Sequence, residues 1–127
     1  MDQSYKKIEK LKSQKLIEKL FAEGKSVVAY PLRLVYIKTS FEDSTPLKTG
    51  VSVSKRNFKK AVHRNRIKRL MREAYRLNKS AYSNNITGQY ALMVLYIGKT
   101  ESDFSTISKK MNTLLDAFLK KESHPNS

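Results

Sequence analysis

Hydrophobic positions along the chain change their period several times, and each change marks a new element. Between residues 7 and 23, Ile8, Leu11, Leu16, Ile17, Leu20 and Phe21 recur at helical spacing, which predicts a first helix stopped by Gly24. Ser26 to Lys38 is β-branched and aromatic, with Pro31 inside it. Proline cannot donate to a central ladder, so this stretch reads as two short strands or one bent edge strand. Ser40 to Leu47 is a polar turn, and Gly50-Val51-Ser52-Val53-Ser54 alternates as a half-buried strand does. A long helix is predicted over residues 58–78, where Ile67, Leu70, Met71, Ala74 and Leu77 form one apolar stripe. After a loop at 79–88, Gln89 to Ile97 is apolar almost throughout, as an interior strand buried on both faces would be. A last helix is predicted over residues 103–121, with Ser102 as N-cap. Its core face is Phe104, Ile107, Met111, Leu114, Leu115, Phe118 and Leu119.

The order helix, strands, helix, strand, helix predicts an α+β fold with one sheet and helices packed on it. The length, 127 residues, fits one domain, placed here at residues 1–122, with 123–127 expected to be a disordered tail. No internal repeat divides the chain.

Charge narrows the choice of partner. The formal net charge is +15, from 26 Lys and Arg against 11 Asp and Glu, which points to a polyanion. No apolar run approaches the roughly 18 residues of a spanning helix, and no apolar segment follows the basic N-terminus as in a secretory signal. Cysteine is absent, which removes disulfides and thiolate metal sites and fits a reducing cytoplasm. A soluble, cytoplasmic, polyanion-binding domain is therefore expected.

The cations concentrate between Lys55 and Lys79, where Glu73 is the single acid. With Ile67 at 0° on a helical wheel, the apolar stripe covers about 280° to 40°. Arg64, Lys68, Arg72 and Arg76 climb the other side at about 60°, 100°, 140° and 180°, joined by Asn65 and Arg69. Like charges four residues apart repel, so a helix meant only for stability would intersperse acids there. The arginine fork can instead grip a phosphate through two hydrogen bonds. Arg66 lies off this stripe and flanks the core. His63 projects onto the apolar side and reads as a satisfied structural histidine.

Catalytic chemistry in the protein finds little support. One of the two histidines is in the tail, so no Ser/His/Asp set is plausible. The acids are scattered, with Glu42-Asp43 their only adjacent pair, and the four glycines are isolated, so neither a metal nuclease centre nor a phosphate loop is legible.

Gly50-Val51-Ser52-Val53-Ser54-Lys55-Arg56, followed by Ala61-Val62-His63-Arg64-Asn65-Arg66-Ile67-Lys68-Arg69-Leu70-Met71-Arg72-Glu73, resembles the signature of the bacterial ribonuclease P protein family. That family joins a G-x-S-V-S-K strand to an A-V-x-R-N-R-x-K-R-x-x-R-E helix. The resemblance implies an αβββαβα two-layer fold with one mixed sheet and a left-handed β-α-β crossover, an exception to the usual right-handed rule. It implies that Arg64, Asn65, Arg66, Lys68, Arg69 and Arg72 contact the catalytic RNA subunit, and Arg76 continues their stripe. It also implies that a cleft between the first helix and the sheet takes the single-stranded 5′ leader of precursor tRNA. Phe21, Lys55 and Arg56 match family positions for that cleft, and Lys59 and Lys60, where many members have Gly-Asn, are grouped with them. An aromatic face beside cations is a common way to hold a single strand. Read from the residues alone, Phe21 is a core residue.

At three further places the chain departs from the family pattern: Ile17 in place of a second aromatic, Pro31 with Arg33 in the second strand, and Gly98-Lys99 after the last strand. The implied function is that of a ribonuclease P subunit in tRNA 5′-end maturation, with catalysis and Mg²⁺ belonging to the RNA. Its expected partners are the catalytic RNA and precursor tRNA, with no membrane and no protein partner required. Rival readings are a general or ribosome-associated RNA-binding module, a helix-turn-helix DNA binder and a membrane-surface binder. None of them explains the strand joined to that helix.

Overall fold

A computed structural model describes residues 7–79, 82 and 85–122. After a 3₁₀ turn at Lys7–Glu9 come α1 (Gln14–Glu23), β1 (Lys25–Ala29), β2 (Leu32–Thr39) and β3 (Leu47–Val53). They are followed by α2 (Ala61–Asn78), β4 (Gln89–Tyr96) and α3 (Phe104–Glu122). The expected element order αβββαβα is thus present, in one mixed four-stranded sheet. The expected tail at 123–127 lies outside the described residues.

Strand order is β1-β2-β4-β3. β1 and β2 form an antiparallel hairpin turned at Tyr30-Pro31, whose peptide bond is cis. Proline therefore occupies the turn between two strands, the first of the two arrangements its position allowed. β2 pairs antiparallel with β4, and β3 pairs parallel with β4. The nearly continuous apolar character of β4 follows from this central place, where both faces are covered.

Each face has its own core. On one side Leu32, Leu34, Tyr36, Tyr90, Leu92, Val94 and Tyr96 meet α2 and α3 through Ile67, Met71, Tyr75, Ile107, Met111 and Phe118. Phe118 packs edge-on against Tyr36 and Tyr90, with ring centroids 4.8 and 5.1 Å away. On the other side Leu11 and Leu20 cover Val35, Ala91 and Met93, with Leu16 and Ile17 beside them. The two layers expected are the sheet with α2 and α3, and α1 adds a partial third.

All three helix starts differ from the periodic reading, and α2 begins at Ala61, not at residue 58. The first helix begins at Gln14, not at residue 7, because Lys10 and Leu11 are drawn alongside β3, where the Leu11 N–H donates to the Thr49 carbonyl at 3.1 Å. Ser13 then caps α1, its hydroxyl accepting from the Leu16 N–H at 3.3 Å. For α3 the capping side chain is Asp103, which accepts from the Thr106 N–H at 2.9 Å. Ser102, the predicted cap, bonds the buried Tyr96 hydroxyl instead. Gly24 does stop α1, but in an extended conformation, φ −70° and ψ 157°. A Cβ there would lie 2.4 Å from the Leu20 carbonyl oxygen and 2.9 Å from that of Tyr36, so close backbone approach requires glycine.

Candidate nucleic-acid interface

The orientation of α2 decides which cations are free. Its buried residues are Ile67, Met71, Ala74 and Tyr75, while Leu77 is 38% exposed. On the wheel used above, the buried sector is centred near 30° instead of near 340°. Tyr75 accounts for the rotation, because a fully buried aromatic ring removes more surface from water than a leucine.

Turning the helix brings the Arg64 side to the flank of the core. Its Nη1 donates to the carbonyls of Phe58 and Lys59, both at 2.8 Å, and so holds the loop that leads into α2. At the other end of the stripe, Arg76 Nε donates to Glu73 at 3.1 Å, and this hydrogen bonding holds the Glu73 carboxyl below its ordinary range. Between these ends, Asn65, Arg69 and Arg72 are exposed and Lys68 is half-buried. Lys68, Arg69 and Arg72 have no hydrogen-bond or ion-pair partner among the described residues. The basic stripe thus consists of a free centre between two tethered ends.

Arg66 and His63 occupy a different side. Both approach Glu101, Arg66 Nη1 at 3.5 Å and His63 Nδ1 at 3.1 Å. The same rotation lifts His63 out of the core into this surface pair, although the expectation that it is satisfied holds. Lys79, the last cation of the Lys55 to Lys79 stretch, is not among its exposed ones. It is buried and paired with Glu9, tying the N-terminal turn to the end of α2.

The predicted leader residues are distributed over three places. Phe21 is 52% exposed, so it is not part of the core. Its neighbour Leu20 takes the buried position instead, and Phe21 stands one turn beyond Ile17 on the same stripe of α1. Lys55 and Arg56 are exposed in the turn after β3. Lys59 and Lys60 line a separate groove with His63, Lys99 and Glu101, at the start of α2.

A groove of about 300 Å³ between α1, β3 and α2 is lined by Lys10, Lys12, Ile17, Gly50, Arg72 and Met93. Gly50 keeps its floor low, since a Cβ there would come 3.0 Å from Met93 Cε. Lys10 and Lys12 were legible only as helix-surface lysines. What puts them beside Arg72 is the pairing of their segment with Thr49, a contact no local pattern announces.

Among the described residues no three His, Asp or Glu side chains converge as a metal ligand set, and no helix is long and apolar enough to cross a membrane. A single-sign cation face beside open basic grooves is what a protein that grips a polyanion presents. The chain belongs to the ribonuclease P protein family, whose sequence pattern, described as ribonuclease P, matches residues 5–119. The ribonuclease P protein component of Porphyromonas gingivalis is 40% identical over 112 residues, covering 86% of this chain and 82% of that protein. That of Chlorobium phaeobacteroides is 36% identical over 125 residues, covering 88% and 86%. The solved ribonuclease P protein of Thermotoga maritima superposes with a TM-score of 0.69 at 26% identity, covering 86% of this chain and 96% of that one. That of Staphylococcus aureus also reaches 0.69, at 22% identity, which speaks to the fold. The chain's role is accordingly in tRNA 5′ processing, as a subunit of an endoribonuclease whose catalytic centre lies in the RNA, with the ribonuclease P RNA as its partner.

Proposed function

We propose that α2 binds the ribonuclease P RNA through Lys68, Arg69 and Arg72, with Asn65 beside them and Arg64, Arg66 and Arg76 at the margins. The observation that carries this is the free centre of the stripe: three cations with no partner of their own, Arg69 and Arg72 on the exposed side of the helix and half-buried Lys68 at its edge. The groove between α1 and β3, with Phe21, Lys55 and Arg56, takes the 5′ leader of precursor tRNA. Lys59 and Lys60, in their own groove, extend the basic surface toward it. Mg²⁺ belongs to the RNA, where it supplies Lewis-acid assistance to phosphodiester hydrolysis. The protein lowers phosphate repulsion and keeps the leader in register, and it works in the cytoplasm.

The test is cleavage of a 5′-extended tRNA precursor by the RNA subunit at low Mg²⁺, with and without the protein. Stimulation is expected, and Phe21→Ala should reduce it for long leaders while leaving the thermal melt nearly unchanged. Absence of stimulation with the cognate RNA would return the chain to a general RNA-binding role.

A further inference from the structure

The sheet face that carries α1 is only partly covered. Cross-strand registers place Val28, Arg33, Leu95 and Ser52 in one row across β1, β2, β4 and β3. The next row, Ser26, Val35, Met93 and Gly50, runs under α1 and the groove. The outer row lies at the margin of that cover: Val28 is 60% exposed, Arg33 is exposed, Ser52 is half-buried, and half-buried Leu95 packs against the edge of the α1-side core. Neighbouring strands lie about 4.8 Å apart, so this row spans about 14 Å. It ends two residues before Ser54 and the exposed pair Lys55 and Arg56.

Arg33 is out of keeping with its strand. Every other β2 residue on this face from Val35 to Ile37 packs against the α1 side, yet here a guanidinium stands between two aliphatic neighbours. One of its donors is engaged, Nη2 on the Ser26 hydroxyl at 3.3 Å. That bond lays the guanidinium along the sheet and leaves its remaining donors for a ligand. No carboxylate pairs with it among the described residues. A flat face with apolar side chains, a tethered arginine and further cations at its end suits an unpaired RNA strand, with bases on the apolar surface and phosphates on the cations.

We propose that Arg33 contacts a phosphate of the unpaired leader, so that the leader path runs from the α1 groove across the outer row of the sheet toward Lys55 and Arg56. This rests on the leader reading above and adds to it a cation that departs from the family pattern.

The experiment uses the holoenzyme reconstituted with the ribonuclease P RNA, and precursors with either a one-nucleotide or a long unpaired leader. Arg33→Gln should weaken binding of the long-leader precursor about fivefold to tenfold, leave the short-leader precursor unchanged, and lower the salt slope by about 0.7. Arg33→Lys keeps the charge and should keep the slope. A long leader with its phosphates singly replaced by neutral methylphosphonates should show one position at which Arg33→Gln costs nothing further. If the wild-type holoenzyme binds both leaders equally, the leader reading itself fails. If it discriminates and Arg33→Gln discriminates as well with an unchanged slope, Arg33 alone is wrongly assigned and only keeps the sheet surface soluble. Because Arg33 is exposed, circular dichroism melts of both variants should match wild type, which keeps either failure interpretable.

Discussion

Replacing Lys68, Arg69 and Arg72 together by alanine isolates the free centre of the basic stripe. None of the three holds another part of the fold through a polar contact, so the variant should assemble its core as wild type does. Arg64 is left in place deliberately, because its two bonds to the loop carbonyls would confound a binding loss with loop disorder. If each of the three neutralises one phosphate of a duplex region, the slope of log affinity against log salt should flatten by about 2.7, or by about 2.1 if the contacts are to single strands. Between 50 and 200 mM salt the wild type should then lose about 20- to 40-fold more affinity than the variant does. The assay is equilibrium binding to the ribonuclease P RNA at several monovalent salt concentrations and constant Mg²⁺. A triple variant with unchanged slope would refute the assignment, whatever happened to its affinity at one salt concentration.

Three stability predictions test the fold that positions this face. Gly24→Ala should cost about 2–3 kcal/mol in urea unfolding, because the new methyl meets two carbonyl oxygens and not a side chain able to move. Lys79→Ala should cost about 2–3 kcal/mol by the same measurement, since it removes the buried cation that pairs with Glu9 and ties the N-terminal turn to the end of α2. Asp43 is held at about 2, below its ordinary 3.8, chiefly by hydrogen bonds from Lys48 and Thr45. A depressed carboxyl stabilises the fold above its unfolded value and loses that contribution as pH falls through the folded one. Asp43→Asn should therefore melt lower than wild type at neutral pH, and the difference should disappear as pH falls from about 4 to about 2.

Local periodicity carried most of the architecture, because α2, α3 and β4 each bury long apolar runs whose spacing admits one reading. It went astray where a distant residue settles a local choice. Lys10 and Leu11 have helical spacing but spend their backbone on β3. The α2 wheel weighted Leu77 as core because aliphatic spacing favoured it, whereas burial of Tyr75 turns the helix. That one rotation explains why Arg64 is tethered, why His63 is at the surface, and why fewer cations are free than the stripe contains. Phe21 shows the reverse case. Its spacing is that of a core residue, but Leu20 fills the single buried position available at that turn. The basic character of the surface was fully legible in the sequence. Which cations it leaves available was a property of packing.

The order of strands has a consequence for the chain as it is made. β4 lies between β2 and β3, yet it is the last strand to be synthesised. A nascent chain ending before Gln89 holds a β1–β2 hairpin and a lone β3 with no ladder between them. α2 is already complete at that length, but the sheet on which it rests is not. Its arginines therefore reach their final arrangement only when nearly the whole domain has emerged, and a polypeptide interrupted earlier carries the charge without the geometry.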